Sequence, residues 1–540
     1  MNGRVLFHLM LADFLERVRR PGIWAVAALG IGFGVLFLPP TNAQTLMLAL
    51  GPWRGLYNSA WVGIVYGLLA VMLLPLFAFY VVKNSIGRDR QTRVGQIFAT
   101  TPVNRPLYLM GKWLSNLAVL TILLLTLSVM ALVMQLWRGE ASAIQPVPLL
   151  ATLWLLGLPV MALVAALALL FESVPLLAGG FGNVIYFFGW LFFLNNISLP
   201  GLFRTQVGLI SPGADVLGVT RPLAALQTVA AQIDPAYSGH FNIAGASYGH
   251  MPIIITWNGM AWTAVIAAER LAWLLAAVGL VLLTALLFDR FDPARQWARP
   301  FKFTRKQTTT PPEAEPDDAS RLSVTLLPPL AERPGRASWL VLLRAELTLL
   351  VHGRSRWLVL AAVVATLLSL VAPPGDGPPV AVLAWLWPVL LWSELGTRTH
   401  THHTQTLVYA APQPRRAQFW AAWLAGVVLA LAATAVLGLK AVAGGDIGQW
   451  LGILTGALFV PSLALACGVW SGNGRFFQVI YLLAWFAAAG GNRWLDFMAF
   501  HPETAAAGMP LGFLAAAAGL VAVAWLGEIG GGPVKDRPQF

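Results

Sequence analysis

Long apolar runs separated by short polar segments make up most of the chain. A transmembrane helix needs about 20 consecutive, mainly apolar residues, and twelve runs come close to that length. They lie near residues 22–40, 60–82, 113–136, 147–171, 175–194, 262–288, 357–372, 379–393, 417–438, 448–467, 475–490 and 510–528. The pattern predicts an all-α polytopic membrane protein with about 12 transmembrane helices.

The segment before the first apolar run has a different periodicity. In residues 1–20 the apolar side chains recur at helical spacing, and most of the charges gather near the end. This pattern is typical of an amphipathic helix that lies on the cytoplasmic membrane surface; an ordinary basic tail is the alternative. A similar segment, Trp339 to Arg356, precedes the seventh run. We therefore expect an interfacial helix before each half of the chain.

The most polar stretch of the first half connects the second and third runs, and it recurs later in the chain. A shift of 333 positions aligns Asp13 with Glu346 and Trp24 with Trp357. A shift of 310 positions, without gaps, places five residues of the polar stretch on identical residues. These pairs are Arg88 and Arg398, Pro102 and Pro412, Arg105 and Arg415, Trp113 and Trp423, and Leu114 and Leu424. The chain is therefore predicted to contain a repeated six-span unit.

The repeat divides the chain into two transmembrane halves, residues 1–288 and 338–540, with a connecting segment at 289–337. The connecting segment is basic at first and then reads TTTPPEAEPDDAS. A segment this polar and rich in proline cannot bury a core of its own. We expect a flexible cytoplasmic linker between the two halves.

The charge content supports a membrane protein and indicates its orientation. Only 11% of the residues are charged, whereas a soluble domain has about 25%. The net charge of +12 requires no nucleic acid as a partner, because basic residues gather in the cytoplasmic loops of membrane proteins. With the amino terminus inside, about 28 of the 35 Lys and Arg residues fall on the cytoplasmic side. This bias predicts a multi-pass protein, surrounded by lipid, with both termini in the cytoplasm.

Motifs for catalysis or cofactor binding are missing from the sequence. Gly111-Lys112 is followed by Trp113, so it fails the Gly-Lys-Ser/Thr requirement of a phosphate-binding loop. Cys467 is the only cysteine, which excludes an intramolecular disulfide and a thiolate metal cluster. We therefore expect a chain that is not an enzyme and binds neither cofactor nor metal.

Two polar regions leave alternatives open. The sequence THTHHT favours polar contact with a partner, with metal binding as the alternative; its histidines are His400, His402 and His403. Residues 195–261 form a long segment on the predicted outer side, where a partner or a substrate exit competes with the interpretation of a solvated loop. The polar residues of that segment that we considered are Asp234, Tyr237, His240 and His250.

Two glutamates, Glu172 and Glu394, lie where spans are predicted to end on the cytoplasmic side. Pairing with a helix end is one interpretation, and a role in transport is the other. No pair of spans carries the acidic or histidine-rich series that is expected of a proton pump.

The loop after the second run, RDRQTRVGQIFATTPVNRPLYLMGK, resembles that of the permease subunits of type-2 ABC exporters. In that family a charged start and a glycine precede a short helix, which is followed by T-P-V-x-R and G-K. The matching residues here are Arg88, Asp89, Arg90, Gly95, Thr101, Pro102, Val103, Arg105, Gly111 and Lys112. The second copy keeps Pro412 and Arg415, but Gln405 replaces the glycine and Ala421-Ala422 replaces Gly-Lys.

The resemblance implies that each of the two loops contains a coupling helix that docks onto a cytoplasmic ATPase subunit. Two such ATPases per chain, carrying ATP and magnesium, would drive export across the cytoplasmic (inner) membrane of a bacterium. The implied docking residues are Arg88, Asp89, Arg90, Arg93, Gly95, Pro102, Arg105 and Lys112 in the first loop, and Glu394, Arg398, Pro412, Arg415 and Arg416 in the second.

Two other classes of protein compete with this interpretation. A secondary transporter of the major facilitator type also has twelve spans and a repeated basic motif, but in Gly87-Arg88-Asp89-Arg90 the aspartate comes two residues after the glycine where four are expected. Cotransport would also require a carboxylate deep within a span, and the sequence offers no strong candidate. The third class is a membrane scaffold that transports nothing.

Overall fold

The computed structural model describes residues 2–19, 22–41, 45–194, 215–235, 241–247, 253–291, 338–352, 356–371, 383–401, 404, 414–489, 495–498, 504 and 508–529. The chain divides into two compact units, Met1–Phe301 and Lys302–Phe540. Helices dominate both units.

In the first unit the described residues form ten helices. They are α1 (Asn2–Val18), α2 (Gly22–Phe37), α3 (Ser59–Val82), α4 (Ser85–Gln91), α5 (Val94–Thr100), α6 (Arg105–Arg138), α7 (Pro146–Ser173), α8 (Gly180–Phe193), α9 (Thr220–Ile233) and α10 (Ala264–Leu287). The helix α7 is central, because it packs against α3, α6 and α10, while α1 and α2 pack against α6.

The close approach of α3 to α7 depends on glycine. A Cβ atom at Gly63 would lie 2.3 Å from the carbonyl oxygen of Pro148, and one at Gly67 would lie 2.4 Å from the side chain of Thr152. Small residues of this kind allow membrane helices to pack backbone against backbone. The two glycines therefore set the spacing between α3 and the central helix.

A small four-stranded sheet, which the hydropathy pattern did not predict, accompanies the first bundle. Its strands are β1 (Thr45–Leu50), β2 (Trp53–Gly55), β3 (Phe241–Ser247) and β4 (Ile253–Ile255), in the order β3-β1-β2-β4. The strand β1 pairs antiparallel with β2 and β3, whereas β2 and β4 are parallel. The sheet thus joins the connection after α2 to the segment at 195–261, part of which is ordered secondary structure and not simply a solvated loop.

In the second unit the described residues include eight further helices. They are α11 (Ser338–Val351), α12 (Arg356–Val371), α13 (Val389–Trp392), α14 (Arg398–Thr401), α15 (Pro414–Ala443), α16 (Ile447–Ser471), α17 (Gly474–Ala489) and α18 (Met509–Ile529). The helix α16 packs against α15, α17 and α18, and α11 packs against α15. Both α7 and α16 contain an internal proline, Pro159 and Pro461.

The prediction of an all-α membrane protein is confirmed in its coarse form. Within the described residues seven helices are long and apolar enough to cross a membrane: Ser59–Gln91, Arg105–Arg138, Pro146–Ser173, Ala264–Leu287, Arg416–Ala443, Ile447–Ser471 and Met509–Ile529. The other predicted spans coincide with shorter helices, among them Gly180–Phe193, Leu358–Val371 and Leu383–Trp392. The count of 12 therefore stays a prediction.

Candidate functional site

The loop that resembles a coupling loop forms two short helices, α4 and α5, between the long helices α3 and α6. Two residues in the left-handed conformation redirect the chain, Asn84 (φ 95°) before α4 and Arg93 (φ 61°) before α5. Pro102 then precedes the start of α6, where the side chain of Asn104 accepts a hydrogen bond from the backbone of Leu107 at 3.1 Å. The short helix predicted before Pro102 is thus present as α5.

A buried ion cluster fixes this loop to the first helix of the chain. Asp13 of α1, only 7% exposed, accepts hydrogen bonds from Arg88 of α4 at 2.7 Å and from Lys112 of α6 at 2.7 Å. Ser115 and Arg17 donate to the same carboxylate at 2.6 and 2.9 Å. Three helices therefore meet at a single aspartate.

Asp89 extends the cluster on the other side of Lys112. Its carboxylate lies 2.8 Å from the Lys112 ammonium and accepts a hydrogen bond from the hydroxyl of Tyr108 at 2.6 Å. Arg88 lies in addition 3.4 Å from Glu16. Arg88, Asp89 and Lys112 thus point into the first unit, and their place in the predicted docking contact stays a prediction.

The electrostatics of the cluster favour an ionised Asp13. Burial alone would raise the pKa of this carboxyl, but the charges of Arg17 and Lys112 and the hydrogen bonds from Lys112 and Ser115 outweigh it and hold the pKa well below its usual value. The carboxylate is therefore charged at any physiological pH, and its attraction for the three cations is retained throughout.

A second carboxylate anchors the start of the loop. Glu172, the second-last residue of α7, is 5% exposed and accepts hydrogen bonds from the backbone amides of Asn84, Ser85, Ile86 and Gly87 at 2.6, 3.0, 2.7 and 3.1 Å. Of the two interpretations of this glutamate, the geometry corresponds to pairing with a helix end.

The segment that follows α10 contacts the loop on both sides of α5 and packs against α5 itself. Arg90 forms an ion pair with Asp289 at 2.8 Å, and Arg290 donates to the carbonyl of Thr101 at 2.6 Å. Gly95 leaves room for the ring of Phe291, because a Cβ atom there would lie 2.6 Å from it. Gly95 is therefore required by packing.

Two large aliphatic side chains of α5 are exposed. Ile97 is 64% exposed and Val94 is 38% exposed, although both are aliphatic. Arg93 and Pro102 are also exposed, and Arg105 is half-buried. We call these five residues the α5 surface; Gln96, Ala99 and Thr100 of α5 are exposed as well.

The described residues of the second loop make fewer charged contacts than those of the first. Arg398 pairs with Glu346 of α11 at 3.1 Å and with Glu394 at 3.3 Å. Arg416 is exposed at the start of α15. Arg415 lies in the first turn of α15, and Pro412 lies outside the described residues.

The two aligned acidic residues differ in their electrostatics. Burial raises the pKa of Glu346 above its usual value, and the lowering effects of Arg398 and of a hydrogen bond with Gln418 are smaller. By the shift of 310, Gln418 stands where the first unit has Tyr108, and Ala422 stands where it has Lys112. The second carboxyl therefore has no counterpart of Lys112 at the aligned position.

Similar contacts recur in the two units. The ion pair of Asp13 with Arg88 corresponds to that of Glu346 with Arg398. Two hydrogen bonds between the second span and the helix at its side correspond as well. Asn183 accepts from Lys83 at 2.7 Å where Gln478 donates to Ser393 at 3.1 Å, and Tyr186 donates to the carbonyl of Pro75 at 2.9 Å where Tyr481 donates to that of Trp385 at 2.5 Å. The ion pair joins residues that the shifts of 333 and 310 align, whereas Asn183 and Gln478, like Tyr186 and Tyr481, are 295 positions apart and lie outside those shifts.

On the predicted outer side, the polar contacts fix structure around the sheet. Arg54 of β2 makes a bidentate ion pair with Glu140, at 2.7 and 2.8 Å. Arg270 of α10 is buried and donates to the carbonyl of Asp215 at 2.7 Å. Of the residues considered there for a partner or a substrate exit, Asp234 follows α9, while Tyr237, His240 and His250 lie outside the described residues.

The metal alternative for the second loop gains no support from the part of the chain that the structure describes. No group of three or more His, Cys, Asp or Glu side chains in those residues could hold a metal ion. His402 and His403 lie outside the described residues, and His400 lies in α14.

Sequence reasoning missed the central position of Asp13. The signal was present, because Asp13 falls one turn after Leu9 on the stripe of apolar positions, where α1 packs against α6. A single acid on an apolar face requires a buried cation. The supporting roles of Tyr108, Asp289 and Phe291 had no comparable signal.

No protein-family model, curated protein or solved structure matches this chain.

Proposed function

We propose that this chain is the permease subunit of an ATP-driven exporter of the type-2 ABC class. The observation that carries the proposal is the ion pair between the loop after the second span and the helix that begins each unit, Asp13 with Arg88 and Glu346 with Arg398. A loop tied in this way cannot move without moving the bundle. That property is required of a loop that receives force from a partner.

The α5 surface supports the proposal that the partner is a folded protein. An isolated helical turn that exposes two aliphatic side chains beside an arginine is suited to a groove on another protein. Charges at the edge of such a contact mainly increase the association rate and specificity, whereas the apolar centre supplies affinity. The proposed partner is a cytoplasmic ATPase subunit, with ATP and magnesium bound by that subunit.

The distribution of carboxylates argues against cotransport. In the seven apolar helices of the described residues, every Asp or Glu lies close to a helix end. They are Asp89, Glu172, Glu269 and Glu528. Glu269 is paired with Arg221, with an Nε–Oε2 distance of 2.9 Å. An ion-coupling carboxylate would be expected near the middle of the membrane, among polar partners.

The same proposal includes the finer features of the fold. The aligned ion pairs, Asp13 with Arg88 and Glu346 with Arg398, support two six-span halves and thus 12 spans in all. Two loops then provide two docking sites, so one chain binds two ATPases. The charge bias of the loops supports a location in the bacterial inner membrane with both termini in the cytoplasm.

Co-purification tests the proposal. The chain is expressed together with an ABC ATPase encoded beside it, purified through a tag on the chain, and weighed by native mass spectrometry. We expect two ATPases per chain and ATP hydrolysis by the complex. A chain that purifies alone under conditions where both proteins are folded would contradict the proposal, and proton-dependent uptake by the chain would then support a secondary transporter.

A pair of matched variants locates the contact. Ile97→Asp places a charge on the α5 surface, and Ile233→Asp places one at the end of α9, where the isoleucine is 49% exposed. Because both side chains face outward, neither variant should disturb the fold. We expect Ile97→Asp to lose at least one ATPase and Ile233→Asp to keep both.

A further inference from the structure

The contact between Glu172 and the first loop does more than complete a helix end. Four consecutive backbone amides and the hydroxyl of Ser85 converge on this one carboxylate. Asn84, whose side-chain oxygen would be the usual local acceptor in such a cap, makes no side-chain hydrogen bond to the start of α4. The loop thus relies on an acceptor 85 to 88 positions away in the chain, although a neighbouring residue would satisfy the same amides.

The position of Glu172 gives this contact mechanical consequences. Glu172 ends α7, which packs against α3, α6 and α10 and is therefore in contact with most of the first bundle. Hydrogen bonds to a buried charged acceptor are stronger than those between neutral groups. A displacement of α4 is therefore passed directly to the central helix, by a route separate from that through Asp13 to α1.

The second unit lacks this connection among its described residues. The helix α16 ends at Ser471, with Gly472 at its C-cap. The amides of Glu394, Leu395 and Thr397 donate instead to carbonyl oxygens of the same short turn, at 3.2, 2.9 and 3.2 Å. The acid at this place, Glu394, belongs to the loop itself and pairs with Arg398.

We propose that Glu172 is the positioning residue through which movement of the first coupling loop reaches α7, and that the two loops are therefore coupled unequally to their bundles. This inference rests on the proposed function, because it assigns the loop a partner that moves it. Glu172 acts through the backbone of the loop and touches no substrate. Its role is to convert docking at the α5 surface into displacement of the bundle.

The connection itself is tested on the purified chain without any partner, by peptide-resolved hydrogen exchange in lipid nanodiscs. Glu172→Gln removes the charge while keeping the shape of the side chain, and we expect amides in 84–91 to exchange roughly tenfold faster. Glu172→Asp keeps the charge and should restore part of the protection. Glu140→Gln is the control, since Glu140 also accepts a backbone amide and an arginine, but near β2; it should leave 84–91 unchanged.

The transmission of movement is tested in the complex with the ATPase. In the wild-type complex, a non-hydrolysable ATP analogue should change hydrogen exchange in both 84–101 and 160–173. In Glu172→Gln the change in 84–101 should persist, while that in 160–173 should fall at least threefold; a purely structural role would not separate the two. A response of 160–173 in Glu172→Gln as large as that in wild type would overturn the proposal. Unchanged exchange of 84–91 in the free Glu172→Gln chain would overturn it as well. Failure of the wild-type chain to bind any ATPase would instead refute the proposed function, and the measurement on the free chain would still decide the connection.

Discussion

Replacing Asp13 with asparagine should destabilise the first unit far more than replacing Glu346 with glutamine destabilises the second. The two acids are aligned by the sequence repeat, and each pairs with the arginine that begins its loop. Only Asp13, however, lies among three cations, Arg17, Arg88 and Lys112. The substitution leaves these charges buried with less compensation.

The magnitude follows from the partners that remain. Removing one member of a buried ion pair destabilises a protein by about 3–5 kcal/mol. Lys112 keeps Asp89 at 2.8 Å and Arg88 keeps Glu16 at 3.4 Å, so we expect the lower end, about 3 kcal/mol. In a unit of this size roughly 2 °C of melting temperature corresponds to 1 kcal/mol, which gives a decrease of roughly 6 °C.

The aligned variant provides the control. In Glu346→Gln the cost of burying a charge is removed together with the ion pair, and Arg398 keeps Glu394 at 3.3 Å. We expect a change of less than about 1 kcal/mol. Tryptophan fluorescence during thermal unfolding in detergent measures the global effect, and hydrogen exchange of 84–91 and 394–401 assigns it to a unit. Equal decreases for both variants would refute the reasoning that the number of cations determines the difference.

Two further predictions concern pH and helix spacing. Burial raises the folded-state pKa of Glu346 above the 4.5 of an exposed glutamate. The folded state therefore binds the proton more tightly than the unfolded state does. The resulting stabilisation is complete below pH 4.5 and is lost as pH rises through the folded-state pKa. The melting temperature of wild type should therefore rise relative to that of Glu346→Gln as pH falls from 7 to 4.5. The melting temperature of Asp13→Asn should stay below that of wild type by a constant amount over the same interval, because the Asp13 pKa is lowered. A wild-type difference that changes for Asp13→Asn and stays constant for Glu346→Gln would contradict these two pKa directions. Gly63→Ala, whose Cβ would lie 2.3 Å from a carbonyl of α7, should destabilise the first unit by about 1–3 kcal/mol in the same thermal assay, whereas Gly279→Ala, which meets no atom within 4 Å, should not.

Hydropathy was sufficient to predict most of the helices, because a long apolar run in a membrane protein has few alternatives to the α-helix. The helix α5 before Pro102 was also predictable, from the rule that the residue before proline leaves the helical region. The sheet was not, since its strands are three to seven residues long and pair segments almost 200 positions apart. Periodicity within a short window carries no information about such pairing.

The sequence also could not show which charged residues of the loop are buried and which are exposed. Arg88, Arg105 and Lys112 all satisfied the same resemblance, and composition alone cannot tell a cation that faces a partner from one that is buried against an acid. The distinction depends on whether an acid from another helix lies within reach, as Asp13 does for Arg88 and Lys112. Packing between segments that are far apart in the sequence therefore decides which cations are buried.

In the proposed complex, the separation of buried and exposed residues in the first loop would let α5 serve as the docking surface, while α4, which is tied to the bundle, would pass on its movement. In that complex, exposed apolar side chains such as Ile97 would supply affinity for the ATPase but would not hold the loop in place. The loop is held by charged hydrogen bonds to two carboxylates from different helices, Asp13 of α1 and Glu172 of α7. Because these two groups of residues do not overlap, variants such as Ile97→Asp and Glu172→Gln should separate binding from transmission. A loop in which the same arginines served both purposes would lose the two properties together.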